Sequence, residues 1–341
     1  MENVLEKKKF NIKEFLIDNG LIIVILLLIG YIIYREPSFL SIGNVINMLS
    51  QASTKLIMSL GVGGLIILAG TDLSSGRILG MTAAVSTAIL QAATHTQKYF
   101  PNLPEMNILV GLLAAVLVGA LFGAFNGFGV AKLKLHAFIA TLGTQLIAYS
   151  LLQAFISASP WGAQPLSGFK ESYRNLVVGR LNLGFIELPY LVIYSLLACV
   201  IMWVVWNKTE LGKNMYAIGG NPEAAQVSGI NVERNIIYLF IIAGIMYGIA
   251  GFLEAPRIGN ANIDTGTNYD LDAIAACVIG GVSFSGGVGK ISGIVLGTVL
   301  LQVINYGLVF IGLHSYWILL IKGALIIAAV AIDSRKYLQK K

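Results

Sequence analysis

The sequence predicts an all-α, polytopic membrane protein of about ten spanning helices arranged as an inverted repeat. Three observations carry that expectation: a composition too apolar for a water-soluble domain, a succession of uncharged runs long enough to cross a bilayer, and one polar island too long to lie within it. Of 341 residues, 56% are hydrophobic and 12% charged, and the mean hydropathy is +0.78, whereas about a quarter of a soluble domain is charged. The 38 glycines fit close helix approach in a membrane. The net charge of +6 comes from Lys and Arg spread over short loops rather than gathered on one face. That pattern reads as membrane orientation and contact with lipid, not as a nucleic-acid footprint. Cys199 and Cys277 both lie in apolar runs with no His or Cys close in sequence, so they are packing residues and no metal site is expected.

The elements follow in order. Residues 1–18 are polar, hold Lys7, Lys8, Lys9 and Lys13, and form an N-terminal segment ahead of an uncharged run at 19–34. A basic lead-in places the N-terminus in the cytoplasm. No small-residue cleavage site precedes this run, so the first helix is expected to stay in the mature protein. Further uncharged runs occupy 37–54 continuing past Lys55 to 71, then 78–97, 106–131, 135–169, 188–207, 235–253 and 273–289. The last run, 291–321 extending to 332, is broken at 312–315 and counts twice, which makes residues 19–333 a membrane domain of about ten spans followed by a basic cytoplasmic tail, 334–341. The run at 273–289 is short and glycine-rich, so a re-entrant or broken helix is its alternative. With ten spans starting inside, 15 of the 23 basic residues fall in inner segments and 7 outside, among them Lys55 and Arg257. The asymmetry places both termini and the central loop in the cytoplasm. Gly70-Thr71-Asp72-Leu73 matches Gly266-Thr267-Asn268-Tyr269-Asp270-Leu271, and the segments around Asn126 and His136 match those around Asn305 and His314. An odd number of spans separates each pair, so the copies are inverted, with the solute route expected between them. A rival alignment, 70–76 against 280–286, sets the copies in one orientation.

The polar island is residues 208–234. Within it Asn221 precedes Pro222 at a first helical position, Glu223 follows in the first turn, and Gly229 is a stop signal. A short exposed helix is predicted, either as a capped connector or as a functional loop. The spelling Glu223-Ala224-Ala225, with Gly229 after three more residues, resembles the EAA signature of ABC importer permeases. Two longer stretches resemble the ribose, xylose and galactose family of these permeases: 270–289, from Asp270-Leu271-Asp272 to Gly286-Gly287-Val288-Gly289, and 70–77, Gly70-Thr71-Asp72-Leu73-Ser74-Ser75-Gly76-Arg77. With Gly219-Gly220-Asn221 and the tail Asp333-Ser334-Arg335, the pattern is most similar to the galactose and methyl-galactoside branch and covers nearly the whole chain. The Leu-Pro that ends the longer form of the loop signature is missing here.

The resemblance implies a fold like that of type II ABC importer permeases and a loop that docks on a cytoplasmic ATPase through Gly219, Asn221, Pro222, Glu223, Ala224, Ala225 and Gly229. It also implies an extracytoplasmic sugar-binding protein, a second permease copy, and ATP used by the partner subunit with no cofactor on this chain. The residues agree with a transport rather than an enzymatic role, since there is no Walker A, HExxH, CxxC or nucleophile motif with partners. Asp72, Ser74, Ser75 and Arg77 form the most polar cluster at a span boundary, read either as a helix cap or as the lining of an interrupted helix. Asn126 and Asn305 lie in apolar helices, as interhelical hydrogen-bond partners or as groups that meet a hydroxylated solute. His95, His136 and His314 fall at span ends, and Trp203 and Trp206 read as an interfacial aromatic belt. Neutral embedded polarity suits an uncharged, hydroxyl-rich solute. A secondary transporter would need a buried ion-binding group, for which Asp72, Asp270, Asp272 and Lys322 are the candidates, all near predicted span ends.

Overall fold

The computed structural model describes residues 12–184 and 187–338, with side chains over 23–184 and 187–331. Lys7, Lys8, Lys9, Lys340 and Lys341 therefore lie outside the described residues. Among the described residues the regular secondary structure is helical apart from a two-stranded hairpin, β1 (Arg180–Asn182) and β2 (Glu187–Pro189).

Helix α1 (Ile12–Arg35) starts inside the segment expected to be a polar lead-in. After a 3-10 turn, α2 (Ile42–Ile67) forms the hub of the molecule, capped by Ser41, whose hydroxyl accepts from the Asn44 N–H. From Ala52 to Leu68 every residue except Lys55 is buried, because α2 is surrounded by α7, α10, α11 and α12. A helix enclosed by protein on all sides keeps Ser53, Thr54 and Ser59 in its interior, which lipid would not tolerate.

The expected third span, 78–97, is shorter in the structure: α3 is Ser75–Ile89. At its end Gln91 pairs with Phe169 in an isolated bridge, and its side chain accepts from Tyr99 N–H at 2.6 Å and donates to Ser167 C=O at 2.8 Å. These bonds turn the chain into a surface loop that an apolar run alone does not reveal. Helix α4 (Ile108–Ala131) shows Leu109, Leu113, Leu117, Leu121 and Phe125 outward. Its opposite stripe, Gly119 and Gly123, lies so close to α10 that a Cβ would stand 2.1 Å from Gly244 O and 2.2 Å from Phe240 O, the small-residue packing that membrane helices use. The long run 135–169 holds α5 (Ala137–Ser157) and then the loop leading to α6 (Glu171–Val178).

Helix α7 (Tyr190–Lys208) leads into α8 (Glu210–Gly220) and α9 (Pro222–Val227). Trp203 is half exposed, but Trp206 is buried against Gly64 of α2, so only the first of the two reads as an interfacial residue. Helix α10 (Val232–Ile258) runs past the expected end at 253 and encloses Glu254, Pro256 and Arg257. Pro256 has no N–H for the carbonyl of Phe252, and the Tyr173 hydroxyl from α6 donates to that carbonyl instead. Helix α11 (Tyr269–Ile279) has only 11 residues, the broken-helix alternative for this stretch. Helices α12 (Ile291–Phe310) and α13 (Ser315–Leu338) complete the chain. Among the described residues, five helices meet the length and apolarity of a span: α4, α5, α7, α10 and α12.

Contacts sort the loops onto two faces. On one, Glu233 at the start of α10 pairs with Lys132 and Lys134 after α4, each at 2.7 Å. On that same face Gly287 N–H donates to Ile67 C=O at the end of α2. On the other, Leu166 pairs with Ala261, and Glu105 meets Lys170 at 3.1 Å. That hydrogen bond from Lys170 and a second from the Ala93 N–H hold the Glu105 carboxyl below its ordinary pKa. The short helix α3 therefore runs away from the α9 face and α11 runs toward it. The sequence short helix, long helix, long helix recurs in α3–α4–α5 and α11–α12–α13 with opposite sense. The two halves exchange their leading helices as well: α10 packs on α3 and α4, and α2 packs on α11 and α12. The equivalence is that of the 70–73 and 266–271 alignment, not of its rival.

Candidate functional site

The exposed loop is built by local capping. The Asn221 side chain accepts from Ala224 N–H at 2.9 Å, Pro222 sits where no donor is needed, and Gly229 closes the turn at φ +87°. Glu223, Ala224, Gln226 and Val227 point outward, Val227 at 90% exposure, while Ala225 is buried and anchors α9. Six residues with an outward carboxylate and an outward valine form an exposed ridge that none of the described residues covers.

Gly219 does not belong to that ridge. It is buried at the end of α8, where an added Cβ would stand 1.8 Å from the Ile67 carbonyl oxygen and 2.7 Å from Gly287 N. Three segments meet there by backbone alone: the end of α8, the end of α2 and the glycine loop after α11. Tyr216 on α8 adds a hydroxyl donated to Gly289 C=O at 3.0 Å, and burial raises its pKa, so it stays a donor. Helix α9 is thus joined through α8 to the end of α2 and to the glycine loop that follows α11. Sequence reasoning found α9 but not α8, whose start signal, Thr209 accepting from Gly212 N–H, is a single capping residue.

The polar interior has two parts. Where the chain breaks between α2 and α3, Asp72 is buried and accepts from the Ser74 N–H and hydroxyl, while the Ser75 hydroxyl donates to the Asp72 carbonyl at 3.2 Å. Asn126 of α4 donates to the Ser74 hydroxyl at 2.9 Å and accepts from Thr144 of α5 at 2.6 Å. The structure brings Asp72, Ser74, Ser75 and Asn126 together, and Thr144 is the member that sequence reasoning missed. Asn126 is nearly fully buried and its amide has a partner at each end. Asn305 stands apart on α12: it is buried, and neither amide atom has a partner. One turn earlier, Gln302 donates to Gln51 of α2 at 3.0 Å and leaves its own oxygen unpartnered.

The second part joins α2, α10, α11 and α13. Glu254, fully buried, accepts from Arg257 through both oxygens at 2.6 and 2.7 Å, from Tyr269 at 2.6 Å and from Thr54 at 2.7 Å. Asp272 accepts from Lys55 at 2.9 Å and from Lys322 at 2.8 Å. Lys55 was expected on the outer surface. It is instead the fourteenth of 26 residues in α2, about 20 Å from that helix's start. Asp72, Asp270 and Asp272 do lie at helix ends, but those ends are inside the molecule, since the segments before α3 and α11 enter from opposite faces. A charge facing acyl chains at that depth costs about 3 kcal/mol or more, so a lone lysine in an apolar run requires a partner. That signal was present at Lys55 and Lys322; the identity of the partner depended on the fold.

Broken helices that enter from both faces and meet at polar side chains, within a bundle clad in leucine and phenylalanine, define a multi-pass membrane transport protein. The chain belongs to the family described as branched-chain amino acid transport system / permease component, which matches residues 44–330. It is similar to the galactose/methyl galactoside import permease protein MglC of Haemophilus influenzae, 46% identical over 339 residues, covering 99% of this chain and 100% of the relative. The protein of the same name from Escherichia coli is likewise 46% identical over 339 residues, with the same coverage. The ribose import permease protein RbsC of Escherichia coli is 34% identical over 330 residues, 96% of this chain and 97% of the relative. No solved structure gives a match.

Proposed function

We propose that this chain is the membrane-spanning permease subunit of an ATP-driven importer that carries a neutral monosaccharide, of the galactose and methyl-galactoside class, across the cytoplasmic membrane. The observation that carries the reading is end-to-end similarity at 46% identity to two import permeases of that name. In this reading the α9 face and both termini are cytoplasmic. The α9 ridge of Asn221, Pro222, Glu223, Ala224 and Ala225, closed by Gly229, seats in an ATPase subunit that binds the ATP, and Gly219 is the joint behind it. A sugar-loaded binding protein docks on the opposite face, and a second copy of the chain, embedded in the same lipid, completes the pore. The route passes the break at Asp72, Ser74 and Ser75, held by Asn126, and continues past Asn305. Residues 19–333 form the transport domain and 208–234 its coupling loop.

Coupling is mechanical: closure of the ATPase pair pulls α9, α8 follows, and Gly219 transmits the shift to α2 and to the 286–289 loop. Glu223 tests this step. A carboxylate in the first turn of a helix gains roughly 0.3 to 1 kcal/mol from the helix dipole, so Glu223→Lys costs little stability. At a docking interface the same reversal sets like charges together, which costs several kcal/mol. The variant is expected at near-normal amount in the membrane, without the ATPase on co-purification and without uptake. A Glu223→Lys permease that keeps the ATPase and transports normally contradicts the docking role.

A further inference from the structure

The ion triad Lys55–Asp272–Lys322 has more charge than internal pairing accounts for. Its two ammonium groups share one carboxylate, so the triad has a surplus positive charge and lysine donors left over. Lys55 is mid-way along α2, Lys322 is the eighth of 24 residues in α13, and Asp272 lies in the first turn of the half-helix α11. The carboxylate is 6% exposed, but the lysines are 16% and 19% exposed, so the surplus charge reaches an edge of the protomer at membrane depth. Acyl chains do not accept that edge, and intramembrane ionisable groups face cavities or water-filled routes. The Tyr269 ring lies beneath Lys55 at 5.0 Å. One turn along α2 from Lys55 is Gln51, bonded to Gln302, whose oxygen is unpartnered, as are both amide atoms of Asn305 on the same helix. Ammonium donors, a carboxylate, amides with spare capacity and an aromatic ring make up the set of groups that binds a polyhydroxylated neutral ring.

We propose that Lys55, Asp272 and Lys322, with Gln51 and Gln302, form a wall of the aqueous solute route and bond directly to the hydroxyls of the passing monosaccharide, the two ammonium groups donating and the Asp272 carboxylate and Gln302 amide oxygen accepting. This rests on the importer reading above and adds to it the groups that touch solute. The Glu254–Arg257 pair behind Tyr269 holds the wall in place: its charges cancel, and it joins Thr54 of α2 to Tyr269 of α11.

The experiment uses the complete transporter, permease with ATPase and binding protein, in proteoliposomes. Cys199 and Cys277, both buried, are first replaced by Ala, and uptake by that parent must match wild type. Lys322→Cys is then compared with the parent for uptake of labelled galactose and for ATP hydrolysis stimulated by loaded binding protein. Loss of one charged hydrogen bond to solute is expected to lower uptake about tenfold or more, with stimulated hydrolysis within about twofold of the parent. Treatment with the water-soluble reagent aminoethyl methanethiosulfonate, which forms a disulfide with the thiol, releases methanesulfinate and restores an ammonium, is expected to recover uptake. Lys55→Cys is scored in the same way. Loss of uptake and stimulated hydrolysis together, without recovery, assigns the triad to folding and overturns the proposal, as does a thiol that the reagent never reaches because lipid or a second copy covers it. Absence of galactose uptake by wild type would instead fail the importer reading, so the two failures are distinct.

Discussion

Tyr173 and Pro256 show how one residue repairs another. The proline deprives the Phe252 carbonyl of its helical donor, and the Tyr173 hydroxyl supplies one from outside α10. Tyr173→Phe leaves that buried carbonyl unsatisfied and is expected to cost about 1 to 3 kcal/mol, read as a lower midpoint of thermal unfolding in detergent; an unchanged midpoint would mean the bond contributes nothing. The two asparagines are distinguished by the same accounting. Asn126→Leu breaks bonds to Ser74 and Thr144 and should lower membrane abundance and uptake together, whereas Asn305→Leu removes an amide with no partner and should lower uptake while abundance holds or rises. Equal loss of both quantities for Asn305→Leu would place it in packing rather than in the route. Composition and position made both residues legible as embedded polar groups. Their different satisfaction was not legible, because it depends on which helices lie opposite.

At the scale of elements, the sequence was most informative where local chemistry is decisive. Asn221, Pro222 and Gly229 specify α9 without help from the rest of the chain, and the uncharged runs locate α4, α7 and α12 within a few residues. It was least informative where an apolar stretch leaves a helix for a loop, as after Ile89 and Ser157, or where a charge is buried by its neighbours. Glu254 and Arg257 ended the apolar run on paper, yet α10 continues through them because they neutralise each other within one turn. Hydropathy records the charge and not its partner. The cytoplasmic orientation proposed for α9 rests on the basic asymmetry and can be checked directly. A cysteine at Ser228, an exposed position just after α9, in the Cys199→Ala, Cys277→Ala background, should react with a membrane-impermeant maleimide only after cells are permeabilised. Reaction in intact cells would invert the topology.

The whole molecule is two half-bundles that exchange their leading helices, with α2 and α10 crossing between them. This arrangement accounts for the clustering of charge and amide groups around α2: it is enclosed by protein from Ala52 to Leu68, so it can carry Thr54 and Lys55 at mid-depth. The inverted order was visible in the 70–73 and 266–271 matches, and the opposite sense of α3 and α11 follows from where their ends bond. Exchange of the leading helices was not visible, since no local signal states which half a helix packs on. The same arrangement links α9 to the polar interior by backbone contacts at Gly219, Ile67 and Gly287, the path that the proposed ATP-driven coupling uses. The most direct measurement is uptake of labelled galactose into proteoliposomes that contain this permease with its ATPase, with sugar-loaded binding protein on the opposite side. The account predicts accumulation against a gradient that needs hydrolysable ATP on the α9 side and persists when ion gradients are collapsed. Accumulation that continues without ATP, or stops when an ion gradient is removed, would contradict it.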